Sequence, residues 1–328
     1  MRVGLLTSGG DAPGMNAAIR AAVRCGTERG AEMLGVHRGY NGLVEGDFEP
    51  LDNRAVGGII ERGGTMLRSA RSAAFSTSAG REKALAEIRR HSLDGLIVIG
   101  GNGSLRGAQW LQANTVPAVG IPASIDNDIP GTEMAIGVDT AVNTVVSALN
   151  RIRDTAVSHE RAFVVEVMGR KSGYIALMGG LAGGAEVILL PEVPVTLSDV
   201  VKQVCEGIQR GKGHSIIVVA EGFAPIDCPN PKPSSGRVVS DALELAGTVE
   251  TRLTILGHLQ RGGSPSASDR TLACRFAESA VTWLMDDVSG VYTGLSGRDI
   301  VSVPLASIEE DCRNVNLDLL RLAHVLAH

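Results

Sequence analysis

The chain has 328 residues, a formal net charge of −5 and 44% hydrophobic residues, a composition that excludes a disordered or disulfide-stapled protein and allows one large or two smaller α/β domains. The negative charge and the aromatic content of only 3% argue against nucleic acid or an acidic membrane surface as a partner. The five cysteines include no C-x-x-C pair, so we expect no zinc cluster and a reducing, cytoplasmic environment.

In chain order, short β-branched runs alternate with longer amphipathic segments, which is typical of parallel sheets covered by helices on both faces. The predicted strands span residues 2–6, 95–99, 117–121, 162–167, 186–190 and 215–220. The predicted helices span residues 15–30, 81–91, 105–111, 141–154, 172–182, 198–211 and 269–285. This order predicts an α/β fold with a larger Rossmann-like unit up to about residue 138 and a smaller unit beyond it. Segment 225–236, with four prolines, is predicted to be a surface loop. The longest uncharged stretch, 107–125, contains two prolines and predicts no membrane helix.

Two predicted strands run directly into glycine-rich turns that open helices. The first turn is T-S-G-G-D-A-P-G-M-N at residues 7–16, and the second lies in L-I-V-I-G-G-N-G-S at residues 96–104. Backbone N–H groups at such turns, together with the helix N-terminus, favour an anion. One such turn can be a purely structural loop, but two favour a phosphate-rich ligand. Neither matches the P-loop pattern or the dinucleotide fingerprint, so a nicotinamide-dependent oxidoreductase is disfavoured.

The segment P-A-S-I-D-N-D follows the strand predicted at 117–121 and places two carboxylates, Asp126 and Asp128, at a strand end. Such a pair can divide its work, since one carboxylate can accept a proton from a hydroxyl while the other helps to hold Mg²⁺. The alternative is an Asx-turn with solvated carboxylates, which the spacing alone leaves open.

Several cationic and polar side chains stand beside glycines or strand ends. Arginines in such places suit bidentate contact with phosphate, although a lone loop arginine is usually solvated. His258 and Glu221 could hydrogen-bond to a phosphate or to sugar hydroxyls, or be a structural histidine and a strand-ending charge. The arginines in question are Arg71, Arg161, Arg170 and Arg261.

Five motifs resemble bacterial 6-phosphofructokinases, in order and over nearly the whole chain: T-S-G-G-D-A-P-G-M-N-A-A-I-R, G-G-N-G-S, S-I-D-N-D, V-V-E-V-M-G-R and G-H-L-Q-R-G-G-S-P. The resemblance implies two interleaved, three-layer Rossmann-like domains with mainly parallel sheets. It also implies transfer of the γ-phosphoryl group of ATP to the 1-hydroxyl of fructose 6-phosphate with Mg²⁺, in a homotetramer with shared active sites. The implied donor-binding domain is 1–138 with about 253–303, and the sugar-phosphate-binding domain is 139–252 with about 304–328.

The same resemblance implies roles for individual residues. Asp126 is the implied general base, assisted by Arg71, Arg170 and Ser124, with Ser124 in place of a threonine usual in the family. The implied ATP contacts are Gly10, Tyr40, Arg71, Gly101, Asn102, Gly103 and Ser104, and the implied Mg²⁺ contacts are Asn102 and Asp128. The implied sugar-phosphate contacts are Ser124, Asp126, Asp128, Arg161, Met168, Gly169, Arg170, Glu221, Arg252, His258 and Arg261. Of these, Arg161 and Arg252 would reach in from a neighbouring subunit. Residues Arg20, Arg24, Arg153, Arg210 and Lys212 match an effector site for a nucleoside diphosphate or phosphoenolpyruvate.

Three positions bear on the phosphoryl donor. Asn102 replaces an aspartate that is usual in ATP-dependent members, and an amide lacks the charge that makes a carboxylate a strong Mg²⁺ ligand. The resemblance also implies that donor choice follows two nearby positions, at which pyrophosphate users carry Asp and Lys. This chain has Gly103 and Ala123 there, which leaves space for the α-phosphate and nucleoside of ATP. The alternatives to an ATP-dependent kinase are a pyrophosphate-dependent enzyme and a weakly active regulatory homologue.

Overall fold

A computed structural model describes residues 1–159, 161–210, 213–247, 250–309 and 315–327. The strands are β1 (Arg2–Ser8), β2 (Glu32–Val36), β3 (Phe48–Leu51), β4 (Gly95–Gly100), β5 (Ala118–Pro122), β6 (Ala162–Val167), β7 (Val187–Leu189), β8 (Ser215–Ala220), β9 (Thr251–Ile255), β10 (Val291–Ser296) and β11 (Asp299–Pro304). The helices are α1 (Met15–Glu28), α2 (Tyr40–Glu45), α3 (Ser78–Arg90), α4 (Asn102–Ala113), α5 (Val138–His159), α6 (Tyr174–Ala182), α7 (Leu197–Gln209), α8 (Ser235–Leu245), α9 (Ala267–Met285) and α10 (Leu317–Leu326). None of the helices in these ranges combines the length and the apolar composition that crossing a bilayer requires.

The chain forms two compact units, each built from two segments. The first unit is Met1–Thr140 with Arg261–Cys312, and the second is Ala141–Gln260 with Arg313–His328. The chain therefore leaves the first unit, builds most of the second, and returns to the first before it ends in the second.

The first unit contains a sheet with the strand order β11-β10-β5-β4-β1-β2-β3. Its centre is parallel, whereas β3 and β11 run antiparallel at the two edges. Every residue of β4 is buried, which explains its unbroken apolar run, because a central parallel strand is covered on both faces. The carboxyl ends of the neighbouring strands β1, β4 and β5 thus meet at one edge of the sheet, where the two glycine turns and the S-I-D-N-D loop begin.

The second unit contains the parallel strand order β7-β8-β6-β9. Its core joins the buried faces of β6 and β8 to α7 and α8, through residues such as Val164, Ile217, Val204 and Leu243. Burial of each such aliphatic side chain contributes about 1.5–3 kcal/mol.

The predicted α/β class with mainly parallel sheets is confirmed. The sequence patterns missed β2, β3, β9, β10 and β11, of which β3, β9 and β11 lie at sheet edges, and they missed α2, α8 and α10. Strand β9 pairs in parallel with β6, which extends the second unit to Gln260, beyond the expected crossing at about residue 252. The division of the chain expected from the sequence remains a proposal.

Candidate active site

The first glycine turn, directly after β1, holds an arginine from far along the chain. Arg261 Nη1 donates to the carbonyl oxygen of Asp11 at 3.0 Å, and a Cβ built on Gly10 would lie 2.8 Å from Arg261 Nη1. A side chain at position 10 would therefore displace the guanidinium. The sequence-predicted residues Gly10 and Arg261 are brought together here, at a turn suited to an anion.

Hydrogen bonds hold the segment that precedes Arg71 against this turn and the start of α1. Asn16 Nδ2 donates to two carbonyl oxygens of residues 62 and 63 at 3.1 Å, and its Oδ1 accepts from Met66 N at 2.7 Å. Ser69 Oγ donates to the carbonyl oxygen of Gly9 at 2.5 Å. Arg71 follows two residues later and is exposed, and no carboxylate of the described residues forms an ion pair with it. Arg71 is thus a free cation beside the first turn, whereas the anchoring Asn16 was missed from the sequence.

The second glycine turn opens α4 and is supported from behind by an aromatic pair. Tyr40 donates through its hydroxyl to the carbonyl oxygen of Ser104 at 2.6 Å, and its ring stacks on Phe75 at 4.3 Å between centroids. Tyr40 is only 4% exposed, and burial raises the pKa of its hydroxyl. These contacts support the turn from within the protein, and the expected contact of Tyr40 with ATP remains a prediction. Gly103 is exposed, with open space where a Cβ would stand.

The loop after β5 presents the two candidate carboxylates. Asp126 is 3% exposed, and its backbone N–H donates to Ser124 Oγ at 3.3 Å. The same hydroxyl donates to Asp128 Oδ1 at 3.4 Å. Ser124 therefore connects the backbone of Asp126 to the carboxylate of Asp128.

Asn127, between these aspartates, shapes the loop. Its φ is +48°, in the left-handed region that asparagine tolerates better than most residues. Its Oδ1 accepts from Ala135 N at 3.1 Å and its Nδ2 donates to the carbonyl oxygen of Glu133 at 3.2 Å. Both bonds reach residues six and eight positions further along the chain, whereas an Asx-turn would bond to the backbone two residues on, and they hold the loop between the two aspartates. Asn127 was missed as a functional residue, although its place between the two aspartates was a signal.

Asn102 connects the second turn to this loop. Its Nδ2 donates to the carbonyl oxygen of Asp128 at 3.2 Å. Its Oδ1 is buried and has no hydrogen-bond partner among the described residues. This hydrogen bond fixes the Asn102 amide against the backbone of Asp128. An amide oxygen and a carboxylate are oxygen ligands of the kind that fits Mg²⁺, because this ion keeps several waters and takes further ligands from substrate phosphates. Within the described ranges, no larger His, Cys, Asp and Glu cluster suited to a metal is found.

In the second unit, four predicted sugar-phosphate residues lie at the carboxyl ends of the parallel strands. Glu221, after β8, accepts through Oε1 from Gly169 N at 3.2 Å and Arg170 N at 2.7 Å. Gly222 is required by packing, since a Cβ there would lie 1.8 Å from the Arg170 carbonyl oxygen. Met168 N donates to Oε1 of Gln260, a fully buried side chain that sequence reasoning missed.

Other predicted residues of this unit lie elsewhere. His258 is exposed and follows β9, at the same end of the sheet. Arg161 and Arg252 stand at the amino ends of β6 and β9, the opposite end of the sheet. Both pair with Glu250, Arg161 at 2.6 Å. The hydrogen bond from Arg161 is the main reason that the pKa of Glu250 is lowered.

The predicted effector residues fall into separate groups. Arg20 and Arg24 lie one turn apart on α1 and line a cavity of about 560 Å³ in the first unit. In the second unit, Arg153 donates to the carbonyl oxygens of residues 183 and 184 at 2.6 Å, and Arg210 lines a cavity with His214. Lys212 lies outside the described residues.

Comparison with known proteins supports the same interpretation. Residues 2–284 match the sequence model of a family described as Phosphofructokinase. The chain is 50% identical over 327 residues to the ATP-dependent 6-phosphofructokinase of Thermotoga neapolitana, covering 99% of both chains. It is 47% identical over 326 residues to that of Bacillus licheniformis, again covering 99% of both.

Two solved structures resemble the fold. Phosphofructokinase from Saccharomyces cerevisiae matches with a TM-score of 0.87 and 35% identity over 94% of this chain, which spans 45% of the yeast chain. A pyrophosphate-dependent phosphofructokinase from Nitrosospira multiformis matches with a TM-score of 0.88 over 99% of this chain and 91% of its own. At 20% identity the second match shows the fold alone.

Proposed function

The chain belongs to the phosphofructokinase family, and from this premise we propose that it is an ATP-dependent 6-phosphofructokinase. The reaction moves the γ-phosphoryl group of ATP to the 1-hydroxyl of fructose 6-phosphate and gives fructose 1,6-bisphosphate and ADP. Relatives that are 47–50% identical over 99% of the chain bear this name. The observation that supports the proposal most directly is the pair Asp126 and Asp128, which one hydroxyl connects. The pair follows β5, at the edge of the sheet where the two glycine turns also begin.

In the proposed mechanism, Asp126 accepts the proton of the sugar 1-hydroxyl as that oxygen attacks the γ-phosphorus. Ser124 keeps the carboxylate in place through the backbone N–H of Asp126. The N-terminus of α4, with Gly101 and Gly103, offers backbone N–H groups to the donor phosphates. Arg71 and Arg170 offset negative charge on the transferred group, as the family resemblance implies.

The oxygens of Asn102 and Asp128 are the proposed contacts for Mg²⁺. When bound, this ion neutralises charge on the donor phosphates and favours in-line transfer. The buried Asn102 Oδ1, without a hydrogen-bond partner in the described chain, supports this assignment, because a buried acceptor without a partner costs about 1–3 kcal/mol unless something binds it.

We propose ATP as the donor rather than pyrophosphate. The open space at Gly103 leaves room for a nucleotide beside α4. Ala123 carries no ammonium group, which the resemblance implies at this position in pyrophosphate users. No observation on this chain favours the pyrophosphate-dependent or the regulatory alternative, apart from the neutral side chain at position 102.

We further propose a homotetramer with shared sites. Strand β6 has six residues, and at about 3.3 Å per residue it separates Arg161 from Arg170 by more than the length of a hexose phosphate. Arg161 and Arg252 therefore suit a sugar phosphate held by another copy of the chain. A cytoplasmic location is the accompanying proposal, supported by free cysteines at positions 25, 205, 228 and 274.

An effector site is also proposed. Arg20 and Arg24 are adjacent on one face of α1 at the edge of a cavity, which suits a phosphate of a nucleoside diphosphate or phosphoenolpyruvate.

The test is a coupled assay with fructose 6-phosphate that compares ATP with pyrophosphate, each with and without Mg²⁺. We expect phosphorylation with ATP and Mg²⁺ and little without the metal. Faster turnover with pyrophosphate would overturn the donor assignment, and no turnover with either donor would support the regulatory homologue.

A further inference from the structure

The proline-rich loop of the second unit is fastened at both ends. Near its start, Ile226 N donates to the carbonyl oxygen of Val195 at 2.9 Å, and Leu197 N donates to the carboxylate of Asp227 at 3.0 Å. At its end, Ser235 Oγ donates to the carbonyl oxygen of Phe223 at 2.6 Å. Four prolines between residues 225 and 233 fix φ at their own positions. The contacts at both ends and the fixed φ angles of the prolines therefore restrict where the middle of the loop, residues 229–233, can lie.

That middle segment forms one wall of a cavity of about 550 Å³, whose other wall is the carboxyl ends of β6 and β8. Two carboxylates line it, and both are oriented by backbone N–H groups: Glu166 Oε2 accepts from Gly236 N at 2.7 Å, and Glu221 Oε1 accepts from Arg170 N at 2.7 Å. Carboxylates held in this way suit the hydroxyls of a sugar.

The cationic side chains that line the same cavity are Arg170 and Lys232. Lys232 is exposed and forms no ion pair with any residue in the described ranges. Its ammonium is a mobile point charge on a flexible stem, carried by a fastened backbone. A cavity with oriented carboxylates on one side and a lysine on the opposite wall is complementary to a hydroxylated, anionic ligand.

We propose that Lys232 is a specificity-determining residue that contacts the phosphate group of the bound sugar phosphate. The inference rests on the proposed function, because that function supplies a sugar phosphate to this unit. Lys232 selects the phosphorylated sugar over the free sugar, while the carboxylates orient the hydroxyls. It has no part in the transfer itself.

The test compares Lys232→Ala, Lys232→Arg and Lys202→Ala, the last removing the same charge from the exposed surface of α7, where Lys202 is 76% exposed. A charge-assisted contact of about 1.5 kcal/mol corresponds to roughly tenfold in affinity. We expect Lys232→Ala to raise KM for fructose 6-phosphate about tenfold, with kcat and KM for ATP unchanged. Lys232→Arg should stay within about twofold of the wild type, and Lys202→Ala should match it.

Equilibrium binding of fructose 6-phosphate, measured by calorimetry without a donor, separates this inference from the proposed function. Weaker binding to Lys232→Ala alone would support the contact even for a protein that turns over slowly. An unchanged affinity, or an equal loss in Lys202→Ala, would overturn it, because Lys232 would then be a solvated surface lysine or would act only through net charge. If the wild type bound the sugar phosphate and failed to phosphorylate it, the proposed function would fail while the contact stood.

Discussion

The side chain of Ser124 determines how the two site aspartates are presented. Its hydroxyl accepts from the backbone N–H of Asp126 and donates to the carboxylate of Asp128, so one side chain contacts both residues. Asp126 is almost fully buried, and a carboxylate within hydrogen-bond reach of a substrate hydroxyl can accept its proton.

Replacing Asp126 with serine should lower kcat by about 10² to 10⁴ and leave sugar-phosphate affinity largely intact, because the proton acceptor is lost while most binding contacts remain. Single-turnover kinetics and equilibrium binding of fructose 6-phosphate measure the two effects. Asp241→Ser, which alters an exposed aspartate of α8, is the matched control. Near-normal turnover by the Asp126 variant would remove Asp126 as the base.

The nitrogen and the oxygen of the Asn102 side-chain amide have different roles. The nitrogen donates to the Asp128 carbonyl oxygen, which an ionised carboxylate cannot do, and the buried oxygen, which has no hydrogen-bond partner among the described residues, is the proposed contact for Mg²⁺. An aspartate at this position would add charge toward the metal and lose the hydrogen bond that holds the loop.

Asn102→Asp should therefore need less free Mg²⁺ for half-saturation at saturating ATP, since the added carboxylate binds the ion more strongly. In the presence of a metal chelator, the free energy of unfolding of the same variant should be about 1–3 kcal/mol lower than that of the wild type, because the Asp128 carbonyl oxygen loses its hydrogen-bond donor. Metal titrations of activity and thermal unfolding with and without Mg²⁺ check the two expectations.

Asn102→Ala serves as the control, because it loses the hydrogen bond and gains no charge. In the presence of a chelator it should be destabilised as much as Asn102→Asp, and added Mg²⁺ should not restore its thermal stability. If the wild type and the Asn102→Asp variant shared one half-saturating Mg²⁺ concentration, Asn102 would have no role in metal binding.

At the scale of elements, Asp269 joins the starts of two helices. It lies in the first turn of α9 and is 1% exposed, and its carboxylate accepts from Gly137 N and Thr140 N, each at 2.8 Å, at the start of α5. Thr140 Oγ1 donates to the same group at 2.5 Å. These hydrogen bonds join the two chain segments that form the first unit.

Asp269→Asn should reduce the free energy of unfolding by about 2–4 kcal/mol, since an amide nitrogen would face a backbone donor and leave buried groups unpaired. Burial raises the pKa of Asp269 above its ordinary value of 3.8. The contribution of a carboxyl with a raised folded pKa is fully present below that ordinary value and declines as pH rises through the raised one.

The stability difference between the wild type and Asp269→Asn should accordingly narrow as pH rises from about 4 toward neutrality. Denaturant unfolding at a series of pH values measures it. A difference that widens with pH would mean that the three hydrogen bonds outweigh burial and lower the pKa of Asp269.

At the scale of the whole molecule, the second unit separates its sugar-phosphate candidates between the two ends of one sheet. Glu221 and Arg170 stand at the carboxyl end, and Arg161 and Arg252 at the amino end. This separation is the reason for the proposal that a site using both groups draws on two copies of the chain.

Mixing Asp126→Ser chains with Arg161→Ala chains should restore activity that neither homo-oligomer has. In a random one-to-one assembly, about one quarter of the sites would combine a native Asp126 with a native Arg161 from another copy. Assays after dissociation and reassembly of the mixture provide the measurement.

Mixing Arg161→Ala with Arg252→Ala chains is the control, since both arginines come from the same copy and no site regains the pair. Dilution of the wild type until it dissociates should likewise abolish fructose 6-phosphate binding. A fully active monomer, identified by light scattering at the assay concentration, would contradict shared sites.

The sequence by itself determined the features that depend on neighbouring residues. The apolar run at 95–99 predicted a strand of a parallel sheet, and the two glycine turns and the S-I-D-N-D loop predicted an anion and carboxylate site at strand ends, because residue period and turn chemistry act over a few residues. Asp126 and Asp128 were identified in this way, and the structure links them through Ser124.

Only the tertiary structure decided which distant residues meet. Pairing of β9 with β6 placed Arg252 beside Arg161, at the end of the sheet away from Glu221. The contacts of Asn102 with Asp128 and of Tyr40 with Ser104 join segments 26 and 64 residues apart. Such contacts follow from strand register and helix packing, in which residues remote in the chain choose one another by shape and hydrogen bonding, and no local pattern encodes that choice.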